Sequence, residues 1–195
     1  MARDKNFCEV ETLNKLTEVF WQKGYNGTSM DDLLQQSNLS RSSLYATYGD
    51  KRSLFLMTLK EYAHKQQDYL NEGLKRWKSA AEGVDELFSS LINKPKSDCG
   101  YAKGCYIVNA IVEWSTADDA ISEIVQQNKT AITKAFARMI KRDIDNGIIS
   151  ADKSPNALAS FVFSTYTGLL VSIKAGASKK ELTEIKNVVL ETVEK

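Results

Sequence analysis

Apolar residues recur at steps of three and four along almost the whole chain, and this periodicity constrains the fold more than any other feature. Val10, Leu13, Leu16, Val19 and Phe20 make a first stripe. Leu54, Phe55, Leu59, Tyr62, Leu70 and Leu74 make a longer one, and Leu182, Ile185, Val189 and Val193 repeat it near the end. Such spacing lines one face of a helix, whereas a half-buried strand alternates with period two. Strong period-two alternation is absent, and only Pro95 and Pro155 could interrupt helices. The pattern predicts an all-α fold.

Capping signals divide the pattern into elements. Gly24 closes the first stripe. Ser29 followed by Asp32 reads as a capping box that opens a short helix with Met30, Leu33 and Leu34 inward. Ser40 with Ser43 opens the next, where Leu44 and Tyr48 share a face. Between them Asn38 suits a left-handed turn. A long helix is expected from Lys51 towards Trp77, frayed or bent near Gly73. Another follows over 80–93 with Val84, Leu87, Phe88, Leu91 and Ile92 inward, and 94–103 reads as the principal loop. Helices are expected over 104–115 and 118–146, then from Ser154–Pro155 to about Gly176, then from Lys179 to the end. The total is about nine helices.

Length allows one large domain or a small one joined to a medium one. No apolar run approaches a membrane span and no signal-peptide core follows MARDK, so a cytoplasmic, membrane-free protein is expected. Cys8, Cys99 and Cys105 are too few and odd in number for a disulfide scaffold. Residues 1–64 hold eight Lys/Arg and eight Asp/Glu, so bulk charge does not announce a nucleic-acid binder. Its distribution permits one. Arg41, Lys51 and Arg52 make a local positive excess, while Asp31 and Asp32 fall in a helix first turn, where they complement the dipole and need not face DNA.

The chemistry concentrates in residues 28–51, TSMDDLLQQSNLSRSSLYATYGDK, with no acidic residue from Leu33 to Gly49. Two short capped helices around a polar turn lay the second helix into a DNA major groove. The same pair also occurs in proteins that bind no DNA, so spacing alone leaves both readings open. A catalytic reading finds little: there is no nucleophile–base pair, no metal-ligand cluster, no phosphate-binding glycine loop and a single histidine, His64, expected to be solvated. No enzyme activity, cofactor or metal is therefore expected. Trp21 and Tyr25 are expected to pack the small domain.

The segments FWQKGYNGTSMDDLL (20–34) and SNLSRSSLYATYGDKRSLF (37–55) resemble the TetR family of transcriptional regulators. Ser40, Arg41, Ser43, Leu44, Tyr45, Lys51 and Leu54 match its pattern in register; Asn38, Ser42 and Ala46–Thr47 depart from it. GCYIVNAIVEW (104–114) is similar to a Gly-Cys run in part of the family, and TYTGLLVSIKAGAS (165–178) to a dimer-building helix.

The resemblance implies a DNA-binding domain over 6–66, with its helix-turn-helix at about 29–48, and an effector-binding and dimerisation domain over 67–195. Arg41, Ser42, Ala46 and Thr47 would face the bases. Thr28, Ser43, Tyr45 and Lys51 would anchor phosphates, Ser40 would stand beside them at the helix start, and Arg3 and Lys5 would form an arm. The last two helices would build a homodimer matched to a palindromic operator. Tyr101, Tyr106, Trp114, Phe136, Phe163 and Tyr166 would border a cavity for a neutral or weakly polar effector. Cys99 and Cys105 flank a loop with Lys96 and Lys103, and nearby cations favour a reactive thiolate. Cys105, also placed at the cavity, is thus either an oxidant or electrophile sensor or a small residue that packs well. The implied function is a repressor released by such a signal; a helical enzyme and a sequence-indifferent DNA binder are the alternatives.

Overall fold

The computed structural model describes residues 7–94, 103–114 and 118–194, and every regular element among them is helical. In order these are α1 (Glu9–Lys23), α2 (Met30–Ser37), α3 (Arg41–Tyr48), α4 (Lys51–Arg76), α5 (Ala80–Ile92), α6 (Tyr106–Trp114), α7 (Asp119–Asp145), α8 (Pro155–Lys174) and α9 (Lys179–Val193). Arg3, Lys5, Cys99 and Tyr101 lie outside the described residues, and so does the Trp114 side chain.

The helices form two compact units. The first comprises Met1–His64 with Tyr106–Ile124, and the second Lys65–Cys105 with Val125–Lys195. The units therefore do not follow a single cut along the chain, because α6 packs with the N-terminal helices.

In the first unit α1 packs against α2. Leu16, Phe20, Leu33, Leu44, Leu54 and Leu59 are wholly buried, each worth about 1.5–3 kcal/mol of transfer free energy. Aromatic rings fill the remaining space: Phe55 meets Phe20 and Tyr25 edge-on at 5.1 Å and Tyr106 at 5.7 Å. Val10 is 61% exposed, because Thr12 takes the inward position of the first turn. The short helices owe their start points to caps. Ser29 and Asp32 form a reciprocal capping box on α2, and Ser40 caps α3, each worth about 1 kcal/mol. Asn38 takes the left-handed conformation between them, at φ 55° and ψ 26°. His64 is exposed.

In the second unit α9 packs against α5 and α8. Val84 and Phe88 are wholly buried on α5. Gly73 does not end the helix: α4 continues to Arg76, and a Cβ at Gly73 would stand 2.3 Å from the Trp77 ring. The glycine is there to admit the indole. Asp143, wholly buried, accepts the Ala80 N–H at 2.5 Å, so a carboxylate from α7 satisfies the start of α5. Pro155 follows the Ser154 cap of α8.

α8 corrects one expectation. Over 18 residues its mean hydropathy is 1.4, long and apolar enough to cross a membrane by composition. Reading uninterrupted runs missed this, because Ser, Thr and Tyr break the run without lowering its average much.

Candidate nucleic-acid interface

On α3, Leu44 is wholly buried and Tyr48 nearly so. At 100° per residue, the direction opposite them falls on Ser42 and Ala46, both exposed. Arg41 and Tyr45 flank that line on one side, Ser43 and Thr47 on the other. The exposed surface thus has a low crest of small side chains with larger polar groups beside it. A helix of this profile can bring its backbone close to base edges while its flanks reach outward. Tyr45, 41% exposed, belongs with Arg41 on this surface, whereas Thr47 and Ser43 are half-buried.

The Ser40 hydroxyl accepts from the Ser43 N–H at 3.2 Å and lies 3.0 Å from the Ser42 hydroxyl and 2.9 Å from that of Ser43. Three hydroxyls therefore crowd the N-terminus of α3, where the helix dipole favours an anion. Arg41 donates to Asp31 at 3.1 Å, with both side chains exposed. Asp31 is thus more than a dipole partner: it holds Arg41 across the turn, in an exposed pair worth at most about 1 kcal/mol. Asp32 accepts from Lys23 at 2.6 Å and from Ser29, and these bonds, the lysine's first, hold its carboxyl well below the usual range.

Two expected anchors stand differently. Thr28 is 2% exposed and its hydroxyl donates to the Gly24 carbonyl at 2.6 Å, so that side chain is spent on the turn. Buried hydroxyls take the nearest acceptor, and here the turn supplies one. Lys51 lies over the Tyr25 ring at 4.3 Å, a cation–π contact that leaves the ammonium at the start of α4.

Sequence reasoning missed what holds this surface in place. Glu113 of α6 accepts the backbone N–H groups of Tyr25 at 2.9 Å and Asn26 at 2.7 Å. Its carboxylate comes so close that a Cβ at Gly24, where φ is +71°, would stand 2.8 Å from it. Arg52 meets Asp118 in a two-bond fork at 2.7 and 2.9 Å, which keeps the Asp118 carboxyl low and removes Arg52 from the free positive charge. Tyr106 donates to Thr58, which donates in turn to the Phe55 carbonyl. No signal in the spacing announces any of these pairs.

The expected effector residues disperse. Tyr106 is 1% exposed within the first unit, ringed by Phe55, Tyr62 and Trp21, so it builds that core. Burial pushes its phenol far above the ordinary range. Phe136 is buried, Phe163 half-buried, and Tyr166 meets Phe88 edge-on at 5.5 Å. Cys105 is buried, and Gln66 reaches its sulfur at 3.7 Å. Among the described residues no group of three or more His, Cys, Asp or Glu converges to hold a metal ion.

Comparison with known proteins matches both halves of the chain. Residues 13–57 match the model of bacterial regulatory proteins of the tetR family, and residues 80–189 the tetracyclin repressor-like C-terminal domain. The chain belongs to the TetR family. An uncharacterized HTH-type transcriptional regulator of Bacillus subtilis, YezE, is 31% identical over 195 residues, with both chains covered completely. The Escherichia coli repressor ComR is 25% identical, covering 97% of this chain and 90% of its own. Among solved structures, a cysteine-substituted form of the TetR-family regulator CifR with 26-bp double-strand operator DNA superposes with a TM-score of 0.84. It is 27% identical and covers 97% of this chain and 98% of its own. Reduced NemR of E. coli, 16% identical with a TM-score of 0.80 and covering 92% and 95%, shares the TetR fold.

Proposed function

We propose that this TetR-family regulator is a repressor that reads a palindromic operator through Arg41, Ser42, Tyr45 and Ala46 of α3. The observation that carries this reading is the exposed face of α3. Its crest is small, its flank holds the one arginine on the two short helices, and the CifR relative, with which this fold superposes closely, was solved on operator DNA. Ser40, Ser43 and Lys51 fix the register on phosphates, Thr47 borders the bases from the second flank, and Thr28 acts through the turn it braces.

Two copies are needed to read two half-sites. Phe161 and Val171 on α8 and Val188 on α9 are 39%, 53% and 59% exposed. Gly168, with open space around it, lies between the first two on the same face. This strip supports a dimer through α8 and α9, with apolar side chains covered and the small residues allowing close approach. Such a regulator works on DNA in the cytoplasm and needs no cofactor and no catalysis. An effector in the second unit, or modification of Cys105, would favour a state in which the two α3 helices no longer fit both half-sites.

Selection of genomic fragments by the purified protein tests the reading, followed by titration of the selected and scrambled duplexes across salt. The selected duplex should win by roughly 10³-fold or more at physiological salt. Equal binding of the two would remove the repressor reading in favour of sequence-indifferent binding, and no binding at all would remove DNA as the target.

A further inference from the structure

A groove of about 800 Å³ opens in the second unit between α4, α7 and the start of α8. Its charged lining is all of one sign. Lys134, Arg138 and Lys141 of α7 border it, and among the described residues no carboxylate does. On a helix these three stand within about 60° of one another and span about 10 Å along the axis, so they form one row. Lys141 is paired with Asp145. Lys134 and Arg138, both exposed, make no ion pair among the described residues.

The rest of the lining suits the remainder of a small molecule. Gln67 and Asn71, one turn apart on α4, and Asn156 on α8 bring three side-chain amides, each able to donate and to accept. Leu70 and Ala135, 5% and 2% exposed, supply apolar wall. A concave site with one sign of charge and low-dielectric walls concentrates ions of the other sign. Arg138 stands in the middle of the row, and its planar fork meets phosphate oxygens two at a time. An adjoining groove takes in Arg138 together with Asp68 and Glu72, and Glu72 pairs there with Lys75. Lys134 and Lys141 do not line that one, so the positive excess belongs to the groove at α8.

We infer that this groove binds a small molecule carrying a chain of two or more phosphates. The chain lies along Lys134, Arg138 and Lys141, and the organic part rests against Leu70, Ala135 and the amides. A single carboxylate would use one cation of the row, whereas a phosphate chain sets several charges along its length. The inference deepens the effector reading above by naming an anionic ligand class, and it rests on that reading for its consequence though not for binding. Gln67 and Asn71 belong to α4, the continuous helix that starts at Lys51, so one helix is shared by the groove and the proposed phosphate anchor.

ADP, adenosine and inorganic pyrophosphate separate the parts of such a ligand. Each is titrated by calorimetry into the full-length protein, free of DNA and divalent cations, at one ionic strength. ADP should bind at least about tenfold more tightly than adenosine, and pyrophosphate should displace it. Lys134→Gln combined with Arg138→Gln should erase the preference. Lys129 is exposed and stands about 180° round α7 from Arg138, so Lys129→Gln should leave ADP affinity nearly unchanged. Equal binding of ADP and adenosine overturns the inference, as does a preference that survives the double substitution or falls as far in Lys129→Gln. Failure of pyrophosphate to displace ADP also overturns it, since the phosphates are then not what the groove holds. DNA is the rival occupant: a salt slope of operator binding lower by about two in the double variant would give the row to DNA and overturn the inference. A separate operator titration keeps the two readings apart, and saturating ADP should weaken operator binding. Unchanged operator affinity leaves the site and removes its effector role; ADP preference with no operator binding leaves the site and removes the repressor.

Discussion

Replacing Glu113 with alanine should loosen the turn that delivers α2 and α3. The carboxylate accepts two backbone N–H groups, at 2.9 and 2.7 Å. Bonds to a charged acceptor contribute about 1.5–3 kcal/mol when buried. Asn26 is exposed and Glu113 half-exposed, so water recovers part of this on truncation, and about 1 kcal/mol per bond remains. The expected loss is about 2 kcal/mol, or about 4–8 °C in melting temperature for a chain of this size.

A second substitution separates the clamp from general packing. Gly24 has φ +71° and ψ 174°, a region nearly closed to other residues, so Gly24→Ala should cost about 1–3 kcal/mol from backbone strain alone. Its new Cβ would also strike the Glu113 carboxylate, 2.8 Å away. Removing the carboxylate relieves the second cost but not the first. Urea unfolding of both single variants and the double variant should therefore show the double less destabilised than the sum, by about 0.5–2 kcal/mol. Operator affinity should fall in Glu113→Ala, since Tyr25 and Asn26 lead directly into Thr28 and the α2 cap. A loss below about 0.5 kcal/mol for Glu113→Ala, or an additive cycle, would refute the clamp.

Arg41→Ala should relax discrimination between operator and scrambled duplex by about 1–3 kcal/mol, read by competition binding. Lys51→Ala should instead weaken both duplexes alike and lower the salt slope by about one. Val171→Glu, which buries a charge in the proposed dimer contact, should yield monomers by sedimentation and lose operator binding. Glu86 is held at about 2, from an ordinary 4.5, by Arg76 first and then the Trp77 indole N–H. Its contribution is complete above about pH 4.5 and fades as pH falls towards 2, so Glu86→Gln should flatten that part of an acid-unfolding curve. An unchanged curve would remove Glu86 from the acid response.

Much of the helical order was legible because its signals are local. The Ser29–Asp32 box, the Ser40 cap, left-handed Asn38 and the Ser154–Pro155 start all act within four residues of the bond they make. The candidate surface was legible for a similar reason: Leu44 and Tyr48 point one way, so Ser42 and Ala46 must point the other. Gly73 reads in the sequence only as a weak point, and its packing role appears once Trp77 is placed over it.

Local chemistry along the chain therefore determined that this protein is helical, where most helices begin, and which face of α3 is exposed. Only the tertiary structure decided what that face is braced by and where the aromatics go. Glu113 and Tyr25 stand 88 positions apart, and Asn128 and Gln66 62 apart. Tyr106 joined the first unit because its ring found Phe55, Tyr62 and Trp21 there. Caps and periodicity are set by neighbours a turn away, whereas such contacts exist only once distant helices have packed, and no spacing in one sequence encodes which helices those will be.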